Sequence, residues 1–387
     1  MFSCGQVQIN AAQTACERIP RRAYLGFYCL RCNSSPCTLT SAHLFGWVKG
    51  EVKIVCGNAS RFLSAARLLA ALATVACELT FVATATCAAG AQLPPEAAKA
   101  IDQMYGGDPD GGIALLHTYE AARPSDPLPY TIEAEARWWK MYCDADEIKW
   151  GMVDSQKRGK KPEDDSYFAL ADRVIALAQA AIAQHDTSEN HLYAGIGYAL
   201  KTRLYGLRSE YRNAAKNGVA SRTEFLRALE LDPDNADASA GIGFYNYYVA
   251  TLSPVVRLLR IFMGIPAGNK EEGIKQVQVG AERGVLLAVD ARFYQARNFR
   301  TYEQKYGEAL AVAGPLVSLY PRNPIFLLLV GNLNVELGRK AKAAEYFNSV
   351  LRLPVLAAPP GGCSGGDCFA CSAHVRNLAQ AFLDSIH

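Results

Sequence analysis

The chain predicts an all-α protein, a solenoid of about six stacked helix pairs, on three observations. From Gln92 onward, apolar residues recur with a period near 3.6 in segment after segment, each separated from the next by Gly, Pro, Asn or Asp. No segment alternates with a period of two for long enough to make a strand. A helix–turn–helix unit, Pro324 to Pro354, recurs upstream in weaker form, and Pro321 and Pro354 stand 33 residues apart. With 387 residues, half of them apolar, the chain has material for a large core.

The first 91 residues differ in kind from the rest. They carry 8 Lys and Arg, 3 Asp and Glu and 8 of the 12 cysteines, leaving 32 basic and 34 acidic residues of the chain's 40 and 37 to the body. The body is close to neutral, so the formal charge of +3 is no argument for a nucleic-acid partner. Residues 1–60 show no sustained period. Cys29, Cys32 and Cys37 form half a zinc pattern without a second ligand pair, and the stretch is expected to be a poorly structured leader outside the native translated protein, with a functional N-terminal domain as the competing reading.

Residues 61–91 read as an export signal: Arg61 and Arg67, an Ala/Leu/Val-rich run, and the small residues Ala89-Gly90-Ala91 before Gln92. Glu78 interrupts the run and argues against a spanning helix. An uncleaved N-terminal anchor and an ordinary buried helix are the competing readings. The expected location is exported, either periplasmic or membrane-anchored.

The body, residues 92–354, breaks into periodic segments at about 94–105, 109–122, 128–148, 166–184, 188–213, 219–231, 235–250, 254–263, 270–283, 287–300, 306–319, 324–337 and 340–352. Residues 355–387 follow as a Gly/Cys-rich turn and a C-terminal helix. In the clearest unit, helix A carries large apolar residues and then the small Gly331, Leu337-Gly338 ends it, and helix B places Ala343 opposite with Phe347 one turn later. That order resembles a tetratricopeptide repeat (TPR). Asp290 to Pro321 keeps Ala309 within "YGEAL", but Arg297 takes the place of the small glycine; Thr202 to Pro233 keeps Phe225 and Ala228, with Ser209 as the small residue and Gly218 as the turn. The resemblance implies a right-handed α-solenoid with a concave face. "GIGFYNYYVATLSP" and "LLRIFMGIPAGNKEEGIKQVQ", within residues 236–352, loosely resemble the eukaryotic tetratricopeptide-repeat family that includes mitochondrial outer-membrane inclusion-clearance proteins. This implies that the stretch is a family-specific helical insertion inside a repeat array.

The apolar stretch Gly243 to Lys270 is not a phosphate loop: its Gly264 to Lys270 spacing is one residue short, and it continues into Glu271. Nor is it a comfortable span, because Gly, Asn, Ser and Pro dilute the run before Arg257 and Arg260 arrive. Its aromatics leave peripheral membrane contact open. "DPDNAD" at Asp232 to Asp237 lacks the central Gly and closing Glu of a calcium loop and reads as an inter-repeat turn.

Cys363, Cys368, Cys371 and His374 could supply three thiolates and an imidazole to zinc, with a disulfide or free thiols as the alternatives. The histidines are otherwise scattered, and Glu133, Glu135, Asp144, Asp146 and Glu147 are expected on the exposed sides of a helix. No catalytic constellation emerges, and beyond that zinc no cofactor is expected. Trp138, Trp139 and Tyr142, with Tyr245 and Tyr248, are the candidates for partner contact, core packing being the competing reading for the first three. Repeat packing is assigned to Phe225, Ala228, Ala309, Gly331, Ala343 and Phe347. The expected function is a non-catalytic exported scaffold that binds a peptide or protein partner in its concave groove. The alternatives are a membrane-peripheral assembly factor or a metal-binding protein.

Overall fold

Helix starts in this chain are marked by short polar side chains that satisfy the first free backbone N–H groups. Asp108 accepts from Gly111 N, Asn235 from Ala238 N, Asn269 from Glu272 N, and Asn323 from both Ile325 N and Phe326 N. Proline opens several helices at the position where its missing N–H costs nothing. The computed structural model describes residues 93–144, 159–253, 260–261, 264–354 and 370–386, all within the unit Ala89–His387. The leader, the export signal, Asp146 and Glu147 lie outside the described residues.

Among the described residues there are thirteen helices and no strand. They are α1 Pro95–Tyr105, α2 Pro109–Ala122, α3 Pro127–Asp144, α4 Glu163–Gln184, α5 Ser188–Leu207, α6 Tyr211–Leu231, α7 Ala236–Thr251, α8 Lys270–Arg283, α9 Ala288–Thr301, α10 Tyr306–Leu319, α11 Pro324–Glu336, α12 Lys340–Arg352 and α13 Ala370–Ile386. Each helix packs on the next, which makes six pairs and a C-terminal helix, an α-solenoid of TPR-like pairs. The pairs α1/α2, α5/α6, α9/α10 and α11/α12 turn through one left-handed residue each: Gly107, Ser209, Gln304 and Gly338. By length and composition α4 could cross a bilayer, yet its Asp172 pairs with Lys201 of α5 and its Arg173 lies over Tyr130 of α3.

Two features correct the sequence reading. The turn between α5 and α6 falls at Ser209, whereas Gly218 lies inside α6. Ser209 takes a positive φ of 58°, and Glu210 N closes the turn onto Tyr205 O, so no glycine marks it. The small residues of this unit are therefore Gly195 of α5 and Gly241 of α7, which clasp the Phe225 ring: a Cβ on either would stand 2.6 or 2.3 Å from it. The same logic holds in the last pair, where a Cβ on Gly331 would meet Phe347 at 2.5 Å. All the repeat-packing side chains named from the sequence, Phe225, Ala228, Ala309, Ala343 and Phe347, are buried.

The ends of the solenoid meet. Asn323, which caps α11 through its side-chain oxygen, also donates from Nδ2 to Tyr105 O at 2.9 Å. The Tyr105 ring stacks on Phe326, and Gly107 lies against the Arg322 carbonyl. α13 packs on α11, α12 and α3. Helix α3 is thus enclosed by early and late helices together.

Candidate interaction surface and its buried base

Enclosure of α3 decides where its aromatic residues go. Trp138, Trp139 and Tyr142 are not a surface patch: they are 2, 5 and 0% exposed. Trp139 meets Phe293 edge-on at 4.9 Å, Phe326 at 5.7 Å and Tyr105 at 5.7 Å. Trp138 Nε1 donates to Tyr294 OH at 2.8 Å, and Tyr142 packs edge-on against Phe293. These three residues form an aromatic base that joins α3 to α1, α9 and α11.

Glu133 and Glu135 are also buried, contrary to the solvated face expected of them. A helix covered on several sides has no free polar face, so each carboxylate is held by an arginine instead. Glu133 accepts from Arg137 Nε at 2.6 Å, and Glu135 accepts from Arg203 Nη1 at 2.6 Å. Arg203 also faces Asp290, with Nη2 at 3.8 Å from its carboxylate, and lies over the Trp138 and Tyr294 rings. Asp290 is wholly buried. Burial first, and then the charge of Glu135, push its carboxyl well above the usual carboxylate range and favour its protonated form. Sequence reasoning missed Arg203 and Asp290; the available signal was a charged residue at a core position of a helical period, as at Arg297.

Above this base, α7 presents the half-buried Tyr245 and Tyr248, backed by the buried Arg297 and Asn298 of α9. Tyr248 donates to Asn298 Oδ1 at 3.2 Å and is approached by Arg297 Nη2 at 3.4 Å. Burial raises its phenol pKa, as it raises that of Tyr142 to about 12 with Arg297 opposing. Arg297 therefore links the accessible Tyr248 to the enclosed Tyr142. Tyr245 donates to Pro266 O at 2.8 Å, with the Arg222 guanidinium 5.4 Å from its ring centre. Tyr247 is buried beside them and donates to Glu303, which also takes Lys270 Nζ at 2.9 Å. Of the five contact candidates, Tyr245 and Tyr248 alone reach the surface.

A separate cleft of about 430 Å³ opens where the ends of the solenoid meet, lined among others by Asp102, Asp108, Tyr320, Arg322, Leu353 and Arg376. Of the C-terminal zinc candidates, Cys363 and Cys368 lie outside the described residues, as does the side chain of Cys371; His374 is half-buried in α13. A different ligand set is brought together elsewhere: His117, Glu120 and Glu133.

No family profile and no curated protein matches the chain. Among solved structures, 29 chains match, including a crystal structure of the yeast Tom70, at 13% identity and a TM-score of 0.25 over 72% of this chain and 58% of that one. The chain thus spans less than two thirds of the length of that neighbour. The class defined by the helix pairs themselves is a TPR-like α-solenoid.

Proposed function

We propose that this protein is a non-catalytic, exported TPR-like scaffold that binds an extended peptide or a partner helix across the α7–α9 surface. The observation that carries this reading is the pair of half-buried tyrosines on α7, Tyr245 against Arg222 and Tyr248 held from below by the buried Arg297 and Asn298. Tyrosine and arginine held in place by their neighbours lose little conformational freedom on binding, and such residues dominate recognition surfaces. Peptide-display selection against the full chain tests it. Selected peptides are expected to lose about tenfold or more in affinity, roughly 1.4 kcal/mol, on the Tyr245→Ala/Tyr248→Ala variant. Unchanged binding by that variant, with its thermal unfolding intact, sinks the assignment.

Export rests on the signal pattern of residues 61–91. A membrane-peripheral assembly factor is the second reading, favoured by Ile261, which is 65% exposed within the apolar stretch. Fractionation of native cells with N-terminal sequencing separates these possibilities. A mature chain starting near Gln92 in the soluble exported fraction is expected. A chain retaining residues 1–60 overturns export, and retention on membranes after a carbonate wash favours the second reading.

A further inference from the structure

We propose that His117, Glu120 and Glu133 bind one first-row divalent cation of the zinc class, joining α2 to α3 at the surface. The site is separate from the α7–α9 surface and does not depend on the scaffold reading.

His117 and Glu120 are three residues apart and share one face of α2, while Glu133 reaches them from α3 across the turn between the two helices. One ligating atom from each lies within 4.8 Å of the others. Zinc bonds of about 2.0–2.2 Å put tetrahedral ligand atoms roughly 3.4 Å apart, a distance that small side-chain rotations close. An imidazole and two carboxylates suit zinc and its first-row neighbours, and three protein ligands leave a position for water. His117 is exposed, so a cation has a path to the site.

One further observation points to a cation ligand set. Glu120 Oε1 is buried without a hydrogen-bond partner. Glu120 and Glu133 face one another, with Arg173 and Arg137 as the neighbouring cations. Arg173 comes from α4 and Arg137 from α3; Arg137 holds Glu133 through Oε1 and is itself 40% exposed, free to turn toward solvent.

The test is cobalt(II) titration of the metal-stripped full chain, because cobalt reports its ligands: thiolate gives near-ultraviolet charge-transfer bands, whereas nitrogen and oxygen ligands do not. One equivalent bound with a nitrogen/oxygen spectrum and displaced by zinc is expected. His117→Ala and Glu120→Gln should weaken it about a hundredfold, at least what loss of an outer partner of a metal ligand costs. His117 is exposed, so His117→Ala should leave circular dichroism and thermal unfolding unchanged even if Glu120→Gln folds poorly. Cobalt uptake with thiolate bands alone, or nitrogen/oxygen uptake equal in wild type and His117→Ala, overturns the proposal.

Discussion

Replacing Trp139 with alanine is expected to cost the fold about 3–5 kcal/mol, measured by urea unfolding of the full chain. The indole is 5% exposed and touches rings from α1, α3, α9 and α11. Those helices are held by each other, so the surroundings cannot collapse into the space an alanine leaves, and the cavity cost adds to the lost transfer energy. A loss under about 1 kcal/mol would show that Trp139 is not the joint between the early and late pairs.

Removing Arg203 should be of similar size for an electrostatic reason. Arg203→Ala leaves Glu135 and Asp290 together without their cation, and stripping one partner from a buried pair costs about 3–5 kcal/mol. Asp290→Asn should act in the opposite direction at neutral pH and above. The folded state holds a proton on Asp290 where the unfolded state has released it, so Asp290 stabilises the fold at acid pH. That contribution is lost as pH rises from the ordinary carboxyl range, about 4, through the raised folded pKa. Glu120, raised to about 7, has the same sign over about 4.5 to 7. Urea unfolding of wild type and Asp290→Asn at pH 5 and 8 is the measurement. Wild type should lose more stability than the variant on going to pH 8, and equal slopes would mean that Asp290 is already ionised in the fold.

What could be read from the chain alone follows from interactions within a turn or two of a helix. Asn235, Asn269 and Asn323 start helices through their own side chains, and the 3.6-residue period placed most helix ends close to where they are found. The order Gly331, Gly338, Ala343, Phe347 announced a packed pair because a helix B ring needs a helix A position without a side chain. Ser209 shows where such reading stops: a serine turn carries no glycine signal, and the sequence reading placed the turn at Gly218.

The destinations of the chemically expressive residues were settled by contacts across the whole chain. Glu135 looks solvated on its own helix; the enclosure of α3 buries it against Arg203, 68 positions away. Asn323 and Tyr105, 218 positions apart, close the solenoid and turn Trp138, Trp139 and Tyr142 into its interior, leaving Tyr245 and Tyr248 half-buried. Likewise His117 and Glu120 on α2 become candidate ligands only when Glu133 of α3 packs beside them. Hydrogen bonds within a helix depend on near neighbours and are legible locally, whereas burial and the field at a side chain depend on everything packed around it, and only the tertiary structure supplies that.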